Sequence, residues 1–507
     1  MKFKRTSFDP TTTIPVVLII GVMVALLWIF PEGSEWAIGK VFGLVTDNLG
    51  WLFLLVDFIL LILAIYLGVS KYGNIKLGNV KPEFSFTSWI AMLFSAAIAA
   101  GIVFYGTAEP ILNYFTPPEF AGVDAASIES ARFAMKQTFF HWGLNAWGIY
   151  VVIAIALAHV IYNLGQPLLI SSTMYPIWGD KAYGARGKTI DILATFATLG
   201  GVATTLGLMI MQIKGGLGYH YGVEIEVGGI IAIGIVLEIA AIISLITGVH
   251  KGILYLSNLN MGLFFFMLLF VFITGPTLFM LDLGVSTVGD YILGVIPMSL
   301  FTDPFREAGT WLGGWTVFYW AWWFAWSPFV GLFIARISKG RKIRELVIGG
   351  LGITVFLTFM WYTVMGGSAI YFDFEGIAPI GQTISEYGTS VASFELLENL
   401  PIAFVTIPIL LVVIGTFFIT SSDSGSLAAS MLNTRGMEEP PTISRLIWGS
   451  FEAVLGISLL VVGGMEALQT VSILVAVPFM VILMMMSYSL LRSLQTYRMN
   501  PEKIDMP

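Results

Sequence analysis

Apolar segments of bilayer length recur along almost the whole chain, and they restrict its fold more than any other feature. A helix that crosses the hydrocarbon core of a membrane needs about 20 mostly apolar residues. Because unpaired backbone groups are too costly in lipid, such segments predict an all-α integral membrane protein. Twelve can be placed, at 14–30, 50–69, 86–106, 139–162, 190–213, 228–248, 257–280, 315–338, 347–371, 402–432, 447–464 and 467–491.

Charge and cysteine content exclude several other classes. Charged residues make up 11% of the chain, whereas soluble globular domains carry about 25%. The chain has no cysteine, which excludes disulfides, thiolate metal ligands and cysteine nucleophiles. Its four histidines are not paired at metal-ligand spacing. We therefore expect no enzyme activity, no cofactor and no nucleic-acid partner.

The positively charged residues alternate between loops as twelve crossings require. Lysine and arginine in short loops stay on the cytoplasmic side of a membrane. With both termini inside, 20 of the 25 fall on cytoplasmic segments; the other five are Lys40, Arg132, Lys136, Lys214 and Arg306. This predicts a cytoplasmic tail at 1–13, one twelve-helix domain at 14–491 in the cell membrane, and a cytoplasmic tail at 492–507.

The eighth segment opens with an unusual density of tryptophan, WTVFYWAWWFAW at 315–326. On one helix, Trp315, Tyr319, Trp322 and Trp326 share a face, with Trp323 beside it. Tryptophan in membrane helices normally gathers at the two interfaces. These rings could simply pack against neighbouring helices, or they could enclose a cation, since aromatic faces attract quaternary ammonium groups. The number of rings favours a cation-binding box.

Two further segments depart from ordinary apolar helix. The third contains SAAIAAGIVFYGTAEP at 95–110, whose small residues permit close backbone approach or local unwinding. Plain small-residue packing is the alternative there. The tenth contains GTFFITSSDSGS at 415–426, with six polar residues, one of them a carboxylate, at 420–426. Polar groups inside a membrane are costly, so this pattern indicates a functional site.

With the tryptophan stretch, the motifs FYGTAEP, FHWGLNAWGIY and GTFFITSSDS resemble those of the betaine/choline/carnitine transporter family. The resemblance extends over nearly the whole chain and is strongest to the sodium-coupled glycine betaine carriers. It implies twelve helices, with spans 3–7 and 8–12 forming LeuT-type inverted five-helix repeats, and a homotrimer. Substrate sites near the bilayer midplane, between the repeats, are expected for such carriers.

The resemblance also assigns the site residues. It implies that the substrate is bound by Trp142, Trp147, Tyr150, Trp322, Trp323 and Trp326, together with Ala97, Ala99 and Gly101. It implies that sodium is bound by the hydroxyls of Thr420 and Ser421 and by the backbone carbonyls of Ser95, Ile98 and Phe417. Hydroxyls and the freed carbonyls of a broken helix suit a hard cation.

Two positions depart from the family pattern. Glycine betaine carriers have GMGIG in the third span where this chain has AIAAG at 97–101. The added methyl groups are expected to narrow the pocket or to change how a carboxylate meets the backbone amides. A further sodium site of the family uses two threonines one turn apart on the fifth span. Here Thr198 matches the first, but Val202 fills the second and cannot coordinate, which leaves the sodium stoichiometry open.

The leading hypothesis is a secondary active transporter that imports glycine betaine, or a similar trimethylammonium zwitterion, by sodium symport for compatible-solute uptake. A sodium-independent exchanger of carnitine-like betaines and a choline carrier are the alternatives within the family. The intact Thr420 and Ser421 argue against exchange. From other classes, a channel would need polar or charged rings along a pore, and an enzyme would need a base, nucleophile or metal constellation. The sequence shows neither.

Overall fold

The computed structural model describes residues 8–97, 99–247 and 252–499, without the side chains of Ala99, Arg498 and Met499. Ile98, the segment 248–251 with the end of the predicted sixth span, and the ends of both tails, at 1–7 and 500–507, lie outside it. Within the described ranges the regular structure is helical, apart from one isolated bridge between Lys76 and Lys342. The predicted all-α fold is therefore confirmed.

Eighteen α-helices, joined by short 3-10 and π turns, make up the described chain. The first nine are α1 Pro10–Ile29, α2 Pro31–Val69, α3 Phe86–Ala97, α4 Ala99–Phe115, α5 Ile128–Trp142, α6 Leu144–Tyr162, α7 Tyr175–Trp178, α8 Ala185–Tyr221 and α9 Val227–Thr247. The others are α10 Leu254–Thr274, α11 Thr277–Ser299, α12 Phe318–Ile337, α13 Ile343–Val347, α14 Val355–Phe374, α15 Ile380–Tyr387, α16 Ala392–Glu398, α17 Ala403–Asn433 and α18 Thr442–Met499.

The predicted spans lie mainly on helices of the described chain, but several are divided in ways that hydropathy did not indicate. Eleven helices of the described chain are long and apolar enough to cross a membrane. The pair Phe86–Ala97 and Ala100–Phe115, bent by 63°, makes a twelfth if it forms one span. The predicted spans at 447–464 and 467–491 both lie in α18, which is interrupted at Gly464 with φ 57° and ψ −146°. Glycine adopts this backbone conformation without the usual steric penalty.

The sequence prediction missed one helix of bilayer length. It left 281–314 without a span, whereas Thr277–Ser299 forms α11, 23 residues long. Asp282 and Asp290 interrupt its apolar residues, so it contains no uninterrupted run of bilayer length. This helix packs on α5 and α14 and exposes apolar side chains such as Val285 and Leu293.

The centre of the molecule is α12, the helix that carries the tryptophan stretch. Of its 20 residues, 19 are buried, and it packs against α6, α8, α17 and α18. The outer helices show the opposite pattern, since α9 and α10 expose Ile239, Ile243 and Ile273. The tryptophans of α12 therefore face other helices and not lipid. This placement distinguishes them from an interfacial aromatic belt.

Candidate functional site

The six aromatic residues assigned to the substrate box lie together and are fully buried. Trp142 ends α5, Trp147 and Tyr150 are on α6, and Trp322, Trp323 and Trp326 are on α12. Their ring centroids are 4.9 Å apart for Trp142 and Trp323, 5.0 Å for Trp322 and Trp323, 5.5 Å for Trp322 and Trp326, 6.5 Å for Tyr150 and Trp323, and 5.9 Å for Trp147 and Tyr150. The structure thus joins all six rings in one cluster, which we call the aromatic box.

A glycine between α5 and α6 allows both helices to contribute to the box. Gly143 has φ −93° and ψ −134°, which ends α5 after Trp142 and starts α6 at the next residue. A Cβ atom at this position would collide with the carbonyl oxygen of Phe139 and lie 3.0 Å from the ring of Phe359. Any larger residue would therefore displace the turn that holds Trp142.

The break in the third span lies beside the aromatic box. Helix α3 ends at the buried Ala97, and α4 begins at Ala99. A Cβ atom on Gly101 would lie 2.7 Å from the ring of Trp142 and 3.4 Å from that of Trp322. Gly101 therefore lies directly against two rings of the box, and a larger side chain there would collide with Trp142. The position of Ile98 and the side chain of Ala99 are outside the described residues.

The polar atoms of the box fall into two groups. Trp326 donates its indole N–H to the carbonyl oxygen of Gly201 at 2.9 Å, and Trp323 donates to that of His141 at 3.3 Å. Within the described chain, the indole N–H groups of Trp147 and Trp322 and the hydroxyl of Tyr150 have no hydrogen-bond partner. A buried donor without a partner costs about 1 to 3 kcal/mol. These donors could bind an acceptor such as a substrate carboxylate.

A buried carboxylate, to which the sequence motifs assign no role, lies behind the box. Glu109 on α4 accepts hydrogen bonds from the indole of Trp142 at 2.6 Å and the hydroxyl of Tyr319 at 2.8 Å. Its other oxygen is 2.6 Å from Nδ1 of His141, whose Nε2 is 2.9 Å from the hydroxyl of Thr316. All five side chains are buried. Glu109 thus ties α4, α5 and α12 together and fixes the ring of Trp142.

The sequence did contain a signal for this network. Glu109 belongs to FYGTAEP and His141 to FHWGLNAWGIY, both inside predicted spans or at their edges. An ionisable residue within a membrane helix is a functional candidate by default, and its partner has to be found in the structure.

Of the residues assigned to sodium, the four that the structure describes lie where α3 and α17 come together. The hydroxyl of Thr420 donates to the carbonyl oxygen of Phe417 at 2.9 Å and lies 3.4 Å from that of Ser95. The hydroxyl of Ser421 is buried and has no hydrogen-bond partner among the described residues. Three oxygens of the assigned set therefore lie close together, the hydroxyl of Thr420 and the carbonyls of Ser95 and Phe417. The fourth, the hydroxyl of Ser421, belongs to the residue after Thr420. Carbonyl and hydroxyl oxygens are suitable ligands for a hard monovalent cation.

The further sodium site of the family, expected on the fifth span, has no matching pair of ligands on α8. Thr198 donates its hydroxyl to the carbonyl oxygen of Ala194, in its own helix, at 2.8 Å. Val202 is buried, and a Cβ atom on Gly425 would lie 2.6 Å from its methyl group. In addition, no group of three His, Cys, Asp or Glu in the described ranges could hold a metal ion.

Comparison with known proteins identifies close relatives. The family model described as "BCCT, betaine/carnitine/choline family transporter" matches residues 11–499. The chain is 39% identical over 491 residues to the glycine betaine transporter OpuD of Bacillus subtilis, covering 95% of each chain. It is 40% identical over 457 residues to the ectoine/hydroxyectoine transporter of Virgibacillus pantothenticus, covering 90% of each chain.

Two further similarities complete the comparison. The glycine betaine transporter of Acinetobacter baylyi is 37% identical over 493 residues, which cover 96% of this chain and 74% of that protein. Among solved structures, a manganese transporter mutant of Eremococcus coleocola aligns with a TM-score of 0.44 and 12% identity, over 85% of this chain and 92% of that one. That structural likeness is too weak to carry an argument.

Proposed function

The chain belongs to the betaine/carnitine/choline transporter family, and from this premise we propose that it imports glycine betaine, or a similar trimethylammonium zwitterion, by sodium symport. Membership makes it a multi-pass membrane transporter of compatible solutes such as glycine betaine or ectoine, and not an enzyme. The observation that carries the finer proposal is the aromatic box, in which six buried rings from three helices lie in one cluster.

The substrate class follows from the chemistry of the box. A trimethylammonium group has no N–H donor, so the faces of Trp and Tyr rings supply its attraction, at about 1 to 2 kcal/mol for each desolvated ring. The unpartnered donors of Trp322 and Tyr150 would serve the carboxylate of a zwitterion. Gly101 adds no charge to the box, whereas an aspartate there, as choline carriers of the family often have, would repel that carboxylate. We therefore expect betaine to be preferred over choline.

The coupling ion is proposed from the cluster on α3 and α17. Thr420, Ser421 and the carbonyls of Ser95 and Phe417 would bind one sodium ion, with the carbonyl of Ile98 as the fifth ligand. Support comes from the 2.9 Å and 3.4 Å distances that bring three of these oxygens together. Val202 offers no oxygen to the family's further sodium site on α8. We therefore propose that the chain has one sodium site, the one on α3 and α17.

The arrangement in the membrane is proposed on the same premise. Both termini are placed in the cytoplasm because 20 of the 25 lysine and arginine residues then lie on that side. The two inverted five-helix repeats and the homotrimer rest on family membership.

Uptake by the purified chain in proteoliposomes tests the proposal. An inward sodium gradient is expected to drive labelled glycine betaine uphill, and replacing sodium by potassium is expected to stop accumulation. Uptake that ignores sodium and requires internal substrate would instead show the exchanger of carnitine-like betaines. Unlabelled choline that competes as well as betaine would show a choline carrier. Ectoine is the second candidate substrate, since one close relative is named for it, and the same competition assay ranks it.

A further inference from the structure

A second polar cluster lies where α9, α17 and α18 pack together, outside the aromatic box and outside the proposed sodium site, here called the sodium cluster, of Ser95, Phe417, Thr420 and Ser421. It contains three buried carboxyl groups, those of Glu238 on α9, Asp423 on α17 and Glu452 on α18, which are 5%, 2% and 0% exposed. Neither substrate recognition nor sodium binding uses them. A carboxylate at membrane depth is costly unless it is paired or protonated.

Asp423 is the member with partners that stabilise its charge. Ser244 donates a hydroxyl to its Oδ2 at 2.8 Å. The positive charge of Arg445 acts on Asp423, and the same guanidinium donates to the carbonyl oxygen of Leu245 at 3.1 Å. The two glutamates have only negative neighbours by comparison. Asp423 acts on Glu238, and both Asp423 and Glu238 act on Glu452.

The hydroxyl groups between the two glutamates do not carry enough protons for two carboxylates. Ser422 and Ser426 each donate to Oε2 of Glu452 at 3.0 Å. The hydroxyl oxygen of Ser422 is also 3.5 Å from Oε2 of Glu238. A serine hydroxyl has one proton to donate. If that proton goes to Glu452, an ionised Glu238 would face the lone pairs of Ser422 and would be repelled.

We propose that Glu238 and Glu452 form a proton-binding site that holds one proton between them, placed on Glu238. The protonated carboxyl of Glu238 donates to Ser422, and Ser422 donates to the ionised Glu452. Two neighbouring carboxyl groups that share a proton in this way avoid placing like charges side by side. The remaining oxygens, Oε1 of each glutamate, have no hydrogen-bond partner in the described chain that could stabilise a second charge.

Two glycines favour a proton over a metal ion as the ligand. A Cβ atom on Gly449 would lie 2.6 Å from Oε1 of Glu238, and one on Gly425 would lie 3.1 Å from Oε1 of Glu452. Backbone therefore closes on these oxygens and leaves little space for the several oxygen ligands that a hard cation requires. On α8, the residue that meets Gly425 is Val202, which does not titrate.

The bound proton is expected to matter for transport because Ser422 directly follows Ser421 of the sodium cluster. Loss of the proton would place negative charges on both sides of Ser422 and separate α9 from α18. Uptake should therefore be full while Glu238 is protonated and should fall severalfold as the pH rises through its titration. This consequence rests on the proposed transport function, whereas the existence of the proton site does not.

Infrared difference spectroscopy on the purified full-length protein tests the site itself. The spectrum of the unmodified protein minus that of Glu238→Gln is expected to show the band of a protonated carboxyl group at neutral pH. Glutamine keeps the size and a hydrogen-bond donor, so the variant should fold. Asp423→Asn is the matched control and should leave the band in place. Glu238→Asp, a second variant that keeps the acid, should shift the band. If neither Glu238 variant changes the band, the proposal is overturned.

Uptake in proteoliposomes between about pH 6 and about pH 10, the range in which buried carboxyl groups release protons, tests the consequence. The unmodified protein should lose uptake at alkaline pH, and Glu238→Gln should keep it. Parallel profiles would overturn the role of the proton in transport. Absence of sodium-driven betaine uptake in the unmodified protein would count against the proposed function and would leave the infrared result unaffected.

Discussion

Trp322 is the residue whose replacement tests the aromatic box most directly. Its ring stacks on that of Trp323 at 5.0 Å and lies next to Gly101. We expect Trp322→Leu to weaken glycine betaine binding by about tenfold or more, which corresponds to about 1.4 kcal/mol, because one desolvated ring contributes about 1 to 2 kcal/mol to a bound cation. The dissociation constant can be measured by tryptophan fluorescence or from saturation of uptake.

Trp320→Leu is the matched control for this change. Trp320 lies on the same helix and is also fully buried, but its ring packs against Phe140 at 5.1 Å and His141 at 5.9 Å, neither of which belongs to the box. It should cost stability without a comparable loss of affinity. Unchanged affinity in Trp322→Leu, or equal losses in the two variants, would show that the tryptophan face serves helix packing.

Glu109 should act as a positioning residue for the box. Glu109→Gln puts an amide N–H₂ where the carboxylate now accepts from Trp142 and Tyr319. Hydrogen bonds to a charged group contribute about 1.5 to 3 kcal/mol, so we expect betaine affinity to fall by about fivefold or more and the fluorescence of Trp142 to change. Glu395→Gln is a suitable control, since it alters a buried glutamate that is bonded to Tyr219, outside the box. Equal affinity in both variants would contradict the positioning role.

The sequence could predict the box residues but not the group that holds them. Trp322, Trp323 and Trp326 lie on one helix, so their spacing already places them close together. Glu109 is separated by 33 residues from Trp142 and by 210 from Tyr319, and no helical periodicity links residues on different helices. Only the packing of α4 against its neighbours shows that three donors converge on one carboxylate.

At the scale of elements, substitutions on α17 test whether sodium is coupled to transport. Thr420→Ala combined with Ser421→Ala removes both hydroxyl ligands of the proposed sodium site and leaves only its proposed carbonyl ligands. We expect the sodium concentration for half-maximal uptake to rise by about tenfold or more, equivalent to about 1.4 kcal/mol, with the fold intact. Ser430→Ala on the same helix is the control, because its buried hydroxyl also lacks a partner in the described structure. An unchanged sodium requirement in the double variant would reject the site.

Hydropathy located the spans but not the ends of the helices. The predicted span at 50–69 is the second half of α2, which has 39 residues and begins at Pro31. At 1.5 Å per residue this helix is about 58 Å long, well beyond a hydrocarbon core of about 30 Å. Its first half contains Glu32, Lys40 and Asp47. These charged residues lower the hydropathy, so the part of the helix before the apolar segment was not predicted. The same effect hid α11.

At the scale of the whole molecule, the topology depends on whether α11 crosses the membrane or stays on its outer side. If α11 crossed the membrane, all later loops would change sides, and positive residues would be divided 11 inside and 14 outside instead of 20 and five. Contacts give the same answer. Phe279, near the start of α11, packs on Tyr371 with centroids 4.9 Å apart. Asp290, eleven residues later, binds Arg132 at 3.1 Å. Tyr371 and Arg132 both lie at predicted outer ends, so α11 should follow the outer surface.

Accessibility of single cysteines distinguishes the two arrangements, and the cysteine-free sequence is a ready background for it. Lys181, Glu307 and Glu438 are exposed in the loops after α7, α11 and α17. If α11 stays on the outer surface, a membrane-impermeant thiol reagent should label Glu307→Cys in intact cells, whereas Lys181→Cys and Glu438→Cys should react only after the membrane is opened. If α11 crosses, Glu307→Cys should be protected and Glu438→Cys labelled from outside, while Lys181→Cys stays protected in either case. Because Lys181 precedes α11 and Glu438 follows it, the pair reports the crossing independently of the orientation of the N-terminus.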